Sequence, residues 1–382
     1  MSFKINENIH YIGCNDHISK LFEGQYAIPN GIAYNSYLLE DGNEIAVLDT
    51  VDYKFVDEWL NNIKSVLKDK HPKYLVIHHV EPDHSAGIVK FLNAYPNVTV
   101  VASTAVFVFI NQFYKTTITN KLVVSDNQKL SIGSLELVFY SAPFVHWPEV
   151  MVSYETKTKT LFSADAFGKF GALDVKEDWK CEARRYYFNI VGKFGMQVQA
   201  LLNKLKNVSI NQICPLHGPI LDKNIKEYTG IYNLWSSYEA EKNDFVIFYT
   251  SVYGHTKDAA LFLAKKLNCE AIDLISYDHS EAIEKAFEYK NIILATTTYN
   301  NGVFPAMQNF VNNMIAKNWQ NKNIIIVENG TWAPMAGTVL KQQLSTIKNM
   351  NIIGTVTIKS AINLDDLDKQ TAPLVATIKK IG

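Results

Sequence analysis

The sequence predicts an α/β protein in two parts: a sandwich of sheets covered by helices, then a doubly wound, parallel five-stranded sheet. Three observations carry that prediction. With 382 residues, 47% hydrophobic content and 20% charge, the chain is long and apolar enough for two cores. Its first part mixes short β-like runs with occasional helical patterns, whereas its second part alternates strand and helix regularly. Between them, Glu239-Ala240-Glu241-Lys242-Asn243-Asp244 closes a helical stretch with a charged run. That run sets the expected domains at 1–243 and 244–382.

In the first part, 33–39, 44–48, 75–78, 98–101, 135–140, 159–162 and 210–214 read as strands. Helical patterns fall at 55–67, 188–204 and 225–241. In the second part, strands are expected at 245–249, 271–275, 291–295, 323–327 and 352–358, with helices at 257–267, 281–288, 305–316 and 336–347. Five strands joined by crossover helices make a parallel sheet, and in the order 2-1-3-4-5 a ligand binds where strands one, three and four end together.

Composition excludes some functions. A net charge of −1 gives no electrostatic case for nucleic acid or an anionic membrane. The N-terminus MSFKINENIHYIG lacks an apolar signal core, and no run of about 18 apolar residues suggests a span. Cys14, Cys181, Cys214 and Cys269 are far apart and form no C-x-x-C pair, so a reducing, cytoplasmic location is expected.

The chemistry concentrates at strand ends. The apolar run that opens Tyr74–Gly87 breaks into His79, Glu81, Asp83 and His84. Three later apolar runs lead to His146, Asp165 and His217. A structural zinc site closes with four ligands, so seven donors suit two metals. Each metal would take two histidines and a terminal carboxylate, with one carboxylate shared. The carboxylates favour harder, oxygen-seeking ions, and redox-active iron fits. A single histidine or aspartate at a strand end is more often a satisfied polar group, the reading given to His10, His17, His71, His78 and His279. Strand alternation turns His78 away from His79.

The segment H-x-E-x-D-H is close to the H-x-H-x-D-H of the metallo-β-lactamase fold, with Glu81 replacing a histidine. Together with HWPE, SADAFG, EARRYY and PLHGP, it makes the chain resemble the flavodiiron proteins, or A-type flavoproteins, over nearly its whole length. The resemblance implies an αββα metallo-β-lactamase-like sandwich followed by a flavodoxin-like sheet. It implies one iron held by His79, Glu81 and His146, a second held by Asp83, His84 and His217, and Asp165 bridging them. Trp147 would then wall the substrate pocket or pack in the core; Arg184 and Arg185 would form structural ion pairs or a donor-docking patch, the structural role being favoured.

The second part carries its own signal. Thr250-Ser251-Val252-Tyr253-Gly254-His255-Thr256 follows the first strand and opens a helix, where hydroxyls and N–H groups make an anion site. The loop resembles the phosphate loop of FMN-binding flavodoxins. Thr298, Tyr299, Asn300, Asn301 and Gly302 follow the third strand, and Asn329, Gly330, Thr331 and Trp332 follow the fourth. Tyr299 and Trp332 are candidates to flank an isoalloxazine ring. The absence of G-x-G-x-x-G disfavours a dinucleotide.

The resemblance implies reduction of O2 to water, of NO to N2O, or both, with electrons relayed through FMN. The flavodoxin-like part ends without a cysteine-rich extension, so a separate donor such as rubredoxin or a flavin reductase is expected. A head-to-tail homodimer, or a dimer of such dimers, is implied as well. Two alternatives remain: a zinc-dependent metallo-hydrolase with an accessory flavodoxin-like domain, which Glu81 disfavours, and a redox sensor without turnover.

Overall fold

A computed structural model describes residues 2–381. Its contacts divide the chain into two compact units, Met1–Asn233 and Leu234–Gly382. The division falls inside the helix Ile225–Ser236, upstream of the charged run.

The first unit holds two facing sheets. One has seven strands, in the order Phe3–Lys4, Ile9–Tyr11, Tyr37–Asp41, Glu44–Leu48, Tyr74–Val76, Thr99–Ala102 and Lys121–Val123. The other runs Lys129–Ile132, Leu135–Ser141, Met151–Glu155, Thr160–Phe162 and Gln212–Cys214. Leu39, Leu48, Val76 and Val101 from the first sheet share a core with Leu137, Phe139, Phe162 and Cys214 from the second. The helix Val56–Leu67 buries Trp59, Ile63 and Leu67, spaced at three and four residues along one face. This is the sandwich covered by helices that the sequence predicts.

Several elements differ from the expected set, among them the unexpected helices Thr104–Tyr114 and Leu364–Ile381, and three differences fall in the interior of the first unit. The run 33–39 is two strands, Ile32–Tyr34 and Tyr37–Asp41, because Asn35 and Ser36 leave the ladder to bond elsewhere. The helix expected at 188–204 is interrupted: a π-turn at Tyr187–Val191 and a 3-10 turn at Gly192–Phe194 precede the helix Gly195–Leu205. Strand Met151–Glu155 is unannounced in the sequence. It is buried at every position, and its polar residues are satisfied inside, Ser153 Oγ by His78 Nε2 at 2.7 Å.

The second unit is the doubly wound sheet. Five parallel strands lie in the order Glu270–Asp273, Lys242–Tyr249, Tyr289–Tyr299, Lys322–Asn329 and Met350–Ile358, which is 2-1-3-4-5. A short antiparallel strand, Gly302–Val303, pairs with the end of the third. Helix His255–Leu267 packs Ala259, Ala260, Leu263 and Ala264 on one face of the sheet, where Leu367 and Ile378 of the helix Leu364–Ile381 join it. On the other face Phe310 meets Phe248, ring centroids 4.7 Å apart. Among the described residues no helix is long and apolar enough to cross a membrane.

Candidate metal and cofactor sites

Four segments following sheet strands bring the seven predicted donors together. Strand Tyr74–Val76 stops before the first of them, so His79 and Glu81 stand on a loop, while Asp83 and His84 stand on the one-turn helix Pro82–Ser85. Pro82 occupies the first helical position, where its missing N–H is not needed. This turn, rather than strand alternation, aims Asp83 and His84. His146 lies between Leu135–Ser141 and Met151–Glu155, Asp165 follows Thr160–Phe162, and His217 follows Gln212–Cys214.

The donors form two groups, His79–Glu81–His146–Asp165 and Asp83–His84–His217. In the first, Glu81 Oε2 lies 3.1 Å from His79 Nε2 and 3.0 Å from His146 Nε2. In the second, Asp83 Oδ2 lies 3.3 Å from the Nε2 atoms of both His84 and His217, themselves 3.0 Å apart. Asp165 belongs to both. Its Oδ2 is 3.3 Å from His79 Nε2 and 3.5 Å from His146 Nε2, and its Oδ1 is 3.4 and 3.6 Å from the Nε2 atoms of His84 and His217. Ligand atoms about 2.0–2.2 Å from a common ion are separated by roughly 3.0–3.5 Å, and the two groups show that spacing. Both oxygens of Asp83 and Oδ2 of Asp165 are buried without a hydrogen-bond partner, a costly arrangement that a cation relieves. The residues therefore fit a pair of metal ions.

Electrostatics agree. Burial opposes charge on His79, yet Asp165, Glu149 and Glu81 outweigh it and hold the imidazole well above the ordinary histidine range. Burial also opposes charge on Asp165, and the histidines around it outweigh that, holding its carboxyl well below the usual range. Glu81 is held low, against burial, by His146 and His79. Cations can take the place of the histidine protons in such a set.

Several supporting residues act through partners that the sequence does not reveal. Asn35 Nδ2 donates to the carbonyls of Pro215 and Gly218, both at 2.8 Å, and so pins the turn that carries His217. His217 Nδ1 is 2.8 Å from the Ala33 carbonyl, and His79 Nδ1 is 2.8 Å from Glu149 Oε1. Tyr186 donates its hydroxyl to Asp165 Oδ1 at 3.0 Å. Glu149 and Tyr186 stand in the HWPE and EARRYY segments, but only the fold shows what each of these groups meets. His78 faces away from the site as expected, between Asp49 and Ser153. Trp147 packs edge-on against His79 and stacks with Phe113. Arg185 pairs with Glu182 and lies over the Phe170 ring.

In the second unit a cavity of about 530 Å³ opens where strands one, three and four end. Ser251, Val252, Tyr253, His255 and Thr256 line it from the first loop, Thr298, Tyr299, Asn300 and Asn301 from the second, and Asn329, Gly330, Thr331 and Trp332 from the third. Three predicted residues stand outside the lining. Thr250 is buried and bonds Thr296; Gly254 turns the chain into the helix at φ +95°; Gly302 pairs with Tyr299 across a two-residue turn. Asn300 and Asn301 both take positive φ in that turn, as a tight hairpin demands. Ser360, after the fifth strand, joins the lining through Asn329 and Thr331. Volume, polar loops and the helix N-terminus suit a phosphorylated flavin.

A lactamase-like sandwich with a two-ion donor set, followed by a flavodoxin-like sheet with a flavin-sized cavity, defines a flavodiiron type of protein. Known proteins agree. Residues 32–218 match the ODP family beta lactamase, and residues 246–360 match the flavodoxin domain. The anaerobic nitric oxide reductase flavorubredoxin of Enterobacter sp. (strain 638) is 27% identical over 352 residues, covering 87% of this chain and 72% of its own. A Methanocaldococcus jannaschii protein without a described function is 29% identical, covering 81% of each chain. The structure of rubredoxin oxygen:oxidoreductase from Desulfovibrio gigas superposes with a TM-score of 0.91 at 25% identity, covering 100% of this chain and 99% of that one. The flavodiiron protein from Giardia intestinalis shares the fold, with a TM-score of 0.89 at 24% identity over 100% and 98% of the two chains. The chain has the two-domain make-up of the flavodiiron proteins. It is an oxidoreductase whose cofactors are FMN and a diiron centre.

Proposed function

We propose that this protein reduces O2 to water, NO to N2O, or both, with electrons delivered through FMN by a separate donor protein. One observation carries the reading: Asp165 turns one carboxylate oxygen to each of two donor groups. His79, Glu81 and His146 hold one iron, Asp83, His84 and His217 hold the other, and Asp165 bridges them. When bound, flavin and iron pair could each supply two electrons; four electrons and four protons convert O2 to two waters, and two electrons and two protons convert two NO to N2O and one water.

The chain's own residues fix the geometry. Glu149 and the Ala33 carbonyl hold the Nδ1 protons of His79 and His217, leaving each Nε2 free to bind metal. Tyr186 orients Asp165. Trp147, stacked on Phe113, walls the site. Ser251 and Thr256 take the FMN phosphate at the N-terminus of helix His255–Leu267, and Tyr299 and Trp332 flank the flavin ring. Trp332 and Tyr253 are 88% and 90% exposed, surface that a second copy covers in a head-to-tail dimer. The names of two similar proteins, flavorubredoxin and rubredoxin oxygen:oxidoreductase, support rubredoxin as the class of donor. The expected domains, 1–243 for the metals and 244–382 for the flavin, divide the work. The test is gas consumption by the reduced protein under O2 and under NO with one donor. Catalytic consumption of neither gas would refute the proposal.

A further inference from the structure

The two donor groups match in composition, each with a terminal carboxylate, two histidines and one oxygen of Asp165, but they differ behind the histidines. Glu149 stands behind His79. Its side chain is fully buried, and Oε1 lies 2.8 Å from His79 Nδ1 and accepts the Val80 N–H at 3.1 Å. Its other oxygen, Oε2, has no hydrogen-bond partner. In the second group the support is neutral or missing: His217 Nδ1 meets the Ala33 carbonyl, and His84 Nδ1 is buried without a partner. One position is thus backed by a whole buried negative charge and the other by a peptide dipole.

A carboxylate behind a histidine ligand raises the basicity of the metal-binding nitrogen. A buried charge also acts through low dielectric, where its field is weakly screened. Both effects favour the ion of higher charge. We propose that Glu149 is a positioning residue that makes the two metal positions electronically unequal. When the pair holds one ferric and one ferrous ion, the ferric ion occupies the position of His79, Glu81 and His146. One electron added to a diferric pair then goes to the position of Asp83, His84 and His217, and a second electron goes to the His79 position. The electrons come from reduced flavin or an added low-potential reductant.

This inference rests on the diiron reading, which iron analysis of the wild type tests separately. The decisive experiment is a potentiometric titration of the holoprotein, following the half-reduced pair by electron paramagnetic resonance. In Glu149→Gln the two one-electron potentials should draw together by at least a tenfold change in equilibrium constant, about 59 mV. A chelator should also strip one ion about 10–100-fold faster while the other keeps its rate. If Glu149 served only to hold the His79 ring in place, that one ion would be lost faster but the separation of the two potentials would not narrow. An unchanged separation, an equal shift of both potentials, or loss of both irons from a folded, FMN-containing variant would overturn the proposal. If Glu149→Gln fails to fold, Glu149→Asp carries the test: it keeps the charge but withdraws it by one methylene, so a narrower separation supports the proposal and an unchanged one overturns it.

Discussion

At the scale of single residues, Asp165 is the one side chain that both donor groups share. Asp165→Ala should reduce bound iron from two ions per chain to one or fewer while leaving FMN in place, as metal analysis beside the flavin absorbance would show. Full iron content would remove its bridging role. A second residue acts within the second unit. Lys322 is fully buried, donates to the carbonyls of Phe287 and Tyr289 at 2.7 and 2.8 Å, and has its ammonium pushed down to about 7 by burial. Between that value and the ordinary lysine value of 10.5, the unfolded chain holds a proton that the folded chain has released. Stability therefore rises with pH across that window, and below it the cost of burying the charge is complete. Thermal midpoints measured upward from about pH 7 should climb less steeply in Lys322→Met than in the wild type. Equal slopes would show that Lys322 remains charged.

At the scale of elements, the turns matter more than the strands they extend. Asn35→Ala would leave the carbonyls of Pro215 and Gly218 unpaired and loosen the turn that carries His217. The ion at the Asp83–His84–His217 position should then escape to a chelator about 10–100-fold faster. In the flavin cavity, an acidic group where the phosphate sits opposes the helix N-terminus. Ser251→Asp or Thr256→Glu should weaken FMN binding about tenfold or more, read by fluorescence titration; unchanged affinity would move the phosphate elsewhere. The sequence announced these loops because strand-to-helix turns rich in hydroxyls and glycine have a local signature. It also announced the donors, since a histidine or carboxylate after an apolar run is visible at a glance. It did not announce Asn35 or Ser360, and it marked Glu149 and Tyr186 only as members of the HWPE and EARRYY segments, because their roles depend on partners distant in sequence. Strand Met151–Glu155 stayed hidden for a related reason: its buried Ser153 and Glu155 read as surface until the fold supplies their partners.

At the scale of the whole molecule, the regular alternation after residue 244 made the second sheet legible as five parallel strands, while the order 2-1-3-4-5, which alternation alone does not fix, is given by the strand pairing. The sandwich was harder, because its edge strands are as short as two residues and its order comes from long-range pairing. A chain with a two-ion site in one unit and a flavin cavity in the other should work as a dimer. Sedimentation of the active protein as a monomer would contradict the head-to-tail arrangement.

The most direct measurement is turnover by the iron- and FMN-loaded protein, reduced anaerobically by a rubredoxin-type donor and then exposed to O2 or to NO. The expected result is many equivalents of at least one gas consumed per chain, giving water without released peroxide or giving N2O, with activity lost in Asp165→Ala. A single stoichiometric reoxidation without further consumption, or two zinc ions accompanied by hydrolase activity, would contradict it.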